Sequence, residues 1–262
     1  MKAAGAIGRR ELSVRDHAII QSVGACRLIQ ATQLERIHFI NDVALRTTKQ
    51  RECRKVLHDL TYSGHLRRLE RQIGGVRAGS SSYVYGLGPL GARLLLGKRP
   101  HRFLTRPSLY FLEHTLCQAE LYTKLHEVNK SHLAEILQIQ MEPHCWRTFY
   151  SLEHGLSPLK PDMYVWLQTG TDRLSWFIEI DRGTTYMHAL RQKLALYVQY
   201  YLAGLEQKEH GVFPRVLWVA PNKARCQFIE KAIQPINERV SGLCKTTTDH
   251  AAIRVITENQ EL

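Results

Sequence analysis

Three carboxylates stand where two neighbouring extended segments would bring them together. Pro161-Asp-Met-Tyr-Val-Trp-Leu167 and Leu174-Ser-Trp-Phe-Ile-Glu-Ile-Asp181 both read as strands, with Gln168 to Arg173 as the turn between them. Side chains alternate across a strand. Phe177, Glu179 and Asp181 therefore share one face, Trp176, Ile178 and Ile180 share the other, and Asp162 opens the adjacent strand. Carboxylates converging on one sheet edge raise one another's pKa unless a cation joins them. Hard oxygen donors with open positions suit Mg2+ or Mn2+. An ion there would activate a water and offset the charge that builds on a phosphodiester as it is cut. The competing reading is plainer. It makes Asp162 a turn residue after a proline, and puts Glu179 and Asp181 in salt bridges to Arg182 or Lys193.

The next helix, from a Thr185 cap to about Leu205, carries the apolar stripe Leu190, Leu194, Tyr197, Val198 and Tyr201. Lys193 lies at the edge of that stripe. Burying a lysine is costly unless it is paired, and the carboxylates are its nearest partners. A lysine there would orient the attacking water or hold the phosphate. Glu113, His114 and Glu120, on a leading helix that runs from a Ser108 cap to about Val128, are further candidates to complete the site. The pair Tyr200-Tyr201 raises the idea of a tyrosine nucleophile. No His-apolar-His triplet accompanies it, and Tyr201 fits the core stripe.

The remaining elements of this half are strands at Leu133 to Met141, Arg215 to Ala220 and Ile253 to Thr257, and a helix from Ala224 to Val240. The segment from Glu142 to Lys160 reads as irregular. The order is αβββαβαβ, a small α/β domain over residues 107–262.

The first half has a different character. Up to Arg106 there are 20 lysines and arginines against 7 acids; from Pro107 onward there are 16 against 17. The whole excess of the +12 net charge therefore sits in the first two-fifths, the footprint of a polyanion partner. Three helix starts follow one another there: Ser13–Asp16, Thr32–Glu35 and Thr47–Gln50 fit, or nearly fit, a capping box. The first helix carries Ile19, Ile20 and Val23, the second Leu34 and Ile37. The third carries Cys53, Val56, Leu57 and Leu60, with Lys49, Arg51, Arg54 and Lys55 on its other faces and Gly64 as a left-handed stop. A hairpin follows, His65–Glu70 and Ser82–Leu87, bearing Arg67 and Arg68 and a glycine-rich loop with Arg71 and Arg77. Three helices and a basic hairpin describe a winged helix-turn-helix over residues 12–96. Its third helix would enter the major groove of double-stranded DNA and the hairpin tip would track the backbone. Leu90 to Leu96 adds a short closing helix, and residues 97–106, with two basic-flanked breaks at Gly97 and Pro100, form a linker.

Composition narrows the class. At 262 residues, 44% hydrophobic and 23% charged, the chain suits an α+β or α/β globular protein of one large or two modest domains. No stretch approaches a membrane span, and Met1 to Arg10 does not read as a signal peptide, so a cytoplasmic protein is expected. The six cysteines are widely spaced, which favours reduced core thiols over disulfides or zinc.

Pro161-Asp162 followed by Glu179-x-Asp181 on adjacent strands, after a leading helix, resembles the PD-(D/E)xK nuclease superfamily. More narrowly, a winged helix followed by Pro-Asp, Glu179-Ile-Asp-Arg-Gly-Thr184, Lys193 and Tyr197 is similar to the replication-relaxation proteins of plasmids, integrative elements and phages, over about residues 12–257. The resemblance implies a DNA-binding protein that nicks or remodels an origin-like site. It implies Asp162 and Glu179 as metal ligands, with the Ile180 carbonyl as a third. One departure stands out: the usual Glu-x-Lys is Glu179-x-Asp181 here, so the lysine has either migrated to Lys193 or been lost. In the second case the domain only binds. The partners expected are double-stranded DNA, other replication or transfer proteins, and a second copy of the chain, with no membrane. The alternatives are a non-catalytic DNA-binding regulator or replication accessory factor, and an RNA-binding protein.

Overall fold

The computed structural model describes residues 11–39, 46–69, 82–97, 107–151 and 155–258. Arg71, Arg77 and nearly all of the expected linker lie outside the described residues. The chain divides into two compact units, Met1–Pro107 and Ser108–Leu262.

The first unit opens with α1 (Val14–Cys26), α2 (Ala31–His38) and α3 (Arg46–Tyr62). Ser13 caps α1 through the expected reciprocal box: the Asp16 N–H donates to the Ser13 hydroxyl at 3.1 Å, and the Ser13 N–H donates to the Asp16 carboxylate at 2.9 Å. Burial follows the helical periodicity, with Ile19, Ile20 and Val23 from α1, Leu34 and Ile37 from α2, and Cys53, Leu57 and Leu60 from α3 forming the core. The second cap is displaced. Gln30 and Gln33 form that box, while Glu35 is buried inside the helix. The third helix begins at Arg46, so Thr47 lies inside it.

Strands β1 (Ile29–Gln30), β2 (Leu66–Arg68) and β3 (Val84–Leu87) form an antiparallel sheet in the order β1-β3-β2. The two-residue β1 was too short to leave a periodic signal. Helix α4 (Pro89–Leu96) closes the unit against the turn before β2. At Gly91 a Cβ would stand 2.2 Å from the His65 carbonyl oxygen, so only glycine permits this approach.

The second unit is built on a five-stranded sheet. Its elements are α5 (Leu109–Lys130), β4 (Glu135–Met141), β5 (Arg147–Ser151), β6 (Gly155–Leu159), β7 (Met163–Thr169), β8 (Asp172–Ile180), α6 (Met187–Ala203), α7 (Leu205–His210), β9 (Arg215–Ala220), α8 (Lys223–Asn237), β10 (Cys244–Thr248) and α9 (Ala252–Thr257). The sheet order is β10-β9-β8-β7-β4, parallel from β8 to β10 and antiparallel across β7 and β4. Phe177, Tyr164, Val216 and Trp218 pack on Leu190, Leu194 and Tyr197 of α6 and Ile229 and Ile233 of α8. On the opposite face the Trp176 indole N–H donates to the Ile256 carbonyl of α9 at 3.2 Å. The alternation expected for β8 is thus the one that packs.

Three expectations are corrected here. The segment 142–160 contains the hairpin β5–β6, whose serine- and proline-bearing strands lack hydrophobic alternation. The last strand is Cys244–Thr248, built on three consecutive β-branched threonines, whereas Ile253 to Thr257 is helical and buries Ala252 and Ile256 one turn apart. Helix α6 starts at Met187 behind Tyr186, without a side-chain cap from Thr185. In α6, Tyr200 is buried and Tyr201 only half-buried.

Candidate nuclease-like site and basic surface

The register of β7 on β8 pairs Met163 with Ile178. One residue further out, the Asp162 N–H donates to the Ile178 carbonyl at 3.1 Å, which sets Asp162 beside Glu179. Because Asp162 precedes the strand proper, its carboxylate folds over the end of β8 and accepts from the Ile180 N–H at 2.7 Å. Its other oxygen stands 3.2 Å from His114 Nε2 on α5. Ile180 thus meets Asp162 through its backbone N–H, and not through the carbonyl that the resemblance implies as a ligand.

Glu179 points to the α6 side and is almost fully buried. One carboxylate oxygen accepts from the Lys193 ammonium, and the other accepts from the Tyr197 hydroxyl at 2.6 Å. Lys193 and Tyr197 are four residues apart, so one helix face presents both donors. Lys193 therefore reaches Glu179, one of the two partners the sequence offered it.

The two carboxyls are pushed apart in acidity. Burial drives Glu179 up to about 7; the Asp162 charge adds to this, and the Lys193 charge with the donors from Lys193 and Tyr197 opposes it. Asp162 is only half-buried; desolvation raises it, but the His114 hydrogen bond, the Lys193 charge and the Ile180 N–H outweigh this and hold it below the usual carboxylate range. Lys193 is less enclosed than Glu179; burial works against its charge, yet Glu179 and Asp162 hold it above its ordinary value. Two carboxyls with separated pKa values can divide acid–base and electrostatic roles between them.

Asp181 does not join this cluster. Its side chain is fully buried and receives two hydrogen bonds from Arg225 of α8, at 2.7 and 2.8 Å, and one from the Gly183 N–H at 2.6 Å. Its arginine is neither of the two partners the sequence offered. Arg182 instead reaches Glu113 at 3.2 Å and the Cys117 thiol at 3.0 Å. Glu120 lines a small cavity with Lys124 and Asp249. Of the leading-helix candidates, His114 alone meets the carboxylates.

Sequence reasoning missed Glu142 and Gln118. Among the described residues, one ligand atom each from His114, Glu142 and Asp162 lies within 4.8 Å of the others. The Gln118 amide nitrogen, one turn along α5, stands 3.0 Å from His114 Nε2 and 3.4 Å from Glu142 Oε1. The available signal was register: once Met141 pairs with Met163, the next residue falls beside Asp162, and the Glu142 N–H donates to the Asp162 carbonyl at 3.2 Å.

In the first unit, Arg51, Arg54 and Lys55 are exposed on α3 away from its apolar stripe. Lys49 is half-buried and pairs with Glu52 at 3.1 Å, and Glu52 also holds Arg15. On β2, Arg67 is half-buried and Arg68 is exposed, its guanidinium 4.4 Å from the centre of the Tyr83 ring. No helix among the described residues is long and apolar enough to cross a membrane. The described cysteines are all free thiols.

Comparison with curated proteins and with solved structures gave no match. The family model described as replication-relaxation matches residues 20–216, well over half of the chain and including Asp162, Glu179 and Lys193. The chain therefore belongs to the replication-relaxation family.

Proposed function

We propose that this is a DNA-binding replication and mobilisation protein of a bacterial mobile element that nicks DNA with a divalent cation. In this reading the first unit is a winged helix. Its α3 enters the major groove with Arg51, Arg54 and Lys55, and the β2–β3 hairpin follows the phosphate backbone. The second unit is a PD-(D/E)xK-like domain. The observation that carries the proposal is that Asp162, just before β7, lies beside Glu179 of β8, which Lys193 of α6 reaches, in one charge-coupled cluster.

The residues fit a cation, since hard oxygen donors of Asp162 and Glu142 converge with His114 within 4.8 Å. Mg2+ or Mn2+ bound there would activate water and neutralise charge on the phosphodiester. The chain's own groups do the rest. Glu179, which gives up its proton only near pH 7, is a carboxylate above that pH and then takes the proton of an attacking water. Tyr197 fixes its orientation. Lys193, about one-third exposed at 32%, presents its ammonium to a phosphate oxygen.

One observation favours a second reading, a binding protein with an inactive nuclease-like domain: both Glu179 oxygens are already engaged by Lys193 and Tyr197. Nicking of a supercoiled plasmid carrying the cognate origin, with Mg2+ or Mn2+, separates the two. The proposal expects the parent to nick, and Asp162→Ala and Glu179→Ala to lose roughly 100-fold or more in rate. Variants that nick as fast as the parent refute the site. A parent that binds DNA in a salt-sensitive way without nicking establishes the second reading.

A further inference from the structure

The cluster around Asp162 contains a nitrogen donor that the family resemblance does not supply. His114 Nε2 faces two groups, the Gln118 amide nitrogen at 3.0 Å and an Asp162 oxygen at 3.2 Å. Gln118 is 1% exposed and held between α5 and the end of β4, so its amide has little freedom to turn elsewhere. An amide nitrogen only donates. Donating to His114 and to Glu142, it makes Nε2 the lone-pair nitrogen of the ring. In that arrangement a lone pair faces the Asp162 oxygen at 3.2 Å, so the hydrogen bond that holds Asp162 low requires the amide reversed. Reversing the amide instead aims its oxygen at the Glu142 carboxylate. In either arrangement two acceptors oppose one another across a gap lined by His114, Glu142 and Asp162. The remaining ring nitrogen, Nδ1, is buried and has no hydrogen-bond partner among the described residues. A positive centre among the three acceptors removes the conflict.

We infer that His114, Glu142 and Asp162 together bind one first-row transition-metal ion, with Mn2+ preferred over Mg2+. The inference rests on the cation site proposed above and deepens it by naming the class of metal that the same three residues select. Imidazole nitrogen is a borderline donor that favours Mn2+, Fe2+, Co2+ or Zn2+, whereas Mg2+ favours all-oxygen shells rich in water. Gln118 serves as the outer-shell group that orients His114 and Glu142. Glu179 stays with Lys193 and Tyr197, outside the ligand set.

The test is Mn2+ binding to the full chain, read by loss of the free-Mn2+ electron paramagnetic resonance signal, with Mg2+ as competitor and circular dichroism as a check of folding. The inference expects one bound Mn2+, which His114→Ala and Glu142→Gln each weaken by roughly tenfold or more while Glu179→Gln leaves it nearly unchanged. It also expects His114→Asp, which keeps a ligand but replaces nitrogen with oxygen, to let Mg2+ compete far better than in the parent. If His114→Ala does not fold, His114→Asp and Glu142→Gln decide. Should the His114 and Glu142 variants bind as the parent does while Asp162→Asn and Glu179→Gln lose Mn2+, the ligand set is wrong and the nuclease reading survives. A parent that binds no Mn2+ at millimolar concentration overturns both.

Discussion

Replacing Arg225 with Met removes both guanidinium hydrogen bonds from Asp181, at 2.7 and 2.8 Å, and leaves it the Gly183 N–H and the Thr185 hydroxyl. The Asp181 side chain is 0% exposed, so water cannot take the place of the lost donors. Removing one partner of a buried ion pair costs about 3–5 kcal/mol, a large share of the roughly 5–15 kcal/mol that holds a domain folded. All four tryptophans, Trp146, Trp166, Trp176 and Trp218, lie in the second unit, so fluorescence during urea unfolding reports that unit selectively. The pH dependence carries a sign. Burial pushes Asp181 up, but Arg225 and the Gly183 N–H more than offset it and hold the folded carboxyl below its usual value. The pair's contribution is therefore complete above about pH 4, the unfolded value, and fades as pH falls through the lower folded value. Arg225→Met should show its full deficit at neutral pH and a narrowing deficit in acid. A loss below about 1 kcal/mol at pH 7, or one that does not change with acid, would refute the assignment of Asp181 as a structural anchor.

Tyr197→Phe deletes the donor 2.6 Å from Glu179; it should cost about 1.5–3 kcal/mol and move the Glu179 titration upward, as carboxyl 13C NMR would record. Glu179 itself, raised to about 7 in the fold, favours folding below the ordinary carboxylate range and loses that advantage as pH rises towards 7; Glu179→Gln should flatten this slope in urea titrations. Gly91→Ala places a Cβ 2.2 Å from the His65 carbonyl and should lower the calorimetric melting of the first unit by the equivalent of about 1–3 kcal/mol. Lys55→Ala, on the exposed face of α3, should reduce the slope of log K against log salt for duplex binding by about 0.9, measured by fluorescence anisotropy; an unchanged slope removes Lys55 from the interface.

The elements that periodicity governs were legible. The apolar positions of α1 to α3, the left-handed Gly64 and the two faces of β8 follow from repeats of 3.6 and 2 in the sequence. Elements held by tertiary pairing were not. Strand β1 has two residues, the β5–β6 hairpin alternates poorly, and α9 carries Ile253 and Val255 in a spacing that also fits a strand. The site divided along the same line. Glu179 and Lys193 sit on regular elements whose faces the sequence specifies, and they meet; the register of β7 on β8 brings Asp162 beside them. Asp181 lies one residue beyond the end of β8, where the chain leaves the sheet, and a distant arginine on α8 captures it. Glu142 joins only through the register of β4 on β7, which no single segment encodes.

The central claim is that Asp162, and not Asp181, belongs to the reacting centre. Nicking of supercoiled DNA by Asp162→Asn and Asp181→Asn, compared at a temperature where fluorescence shows both second units folded, tests it most directly. The account predicts that Asp162→Asn loses metal-dependent nicking while Asp181→Asn keeps a rate within a few-fold of the parent. A folded Asp181→Asn that no longer nicks, beside an Asp162→Asn that still does, would contradict it.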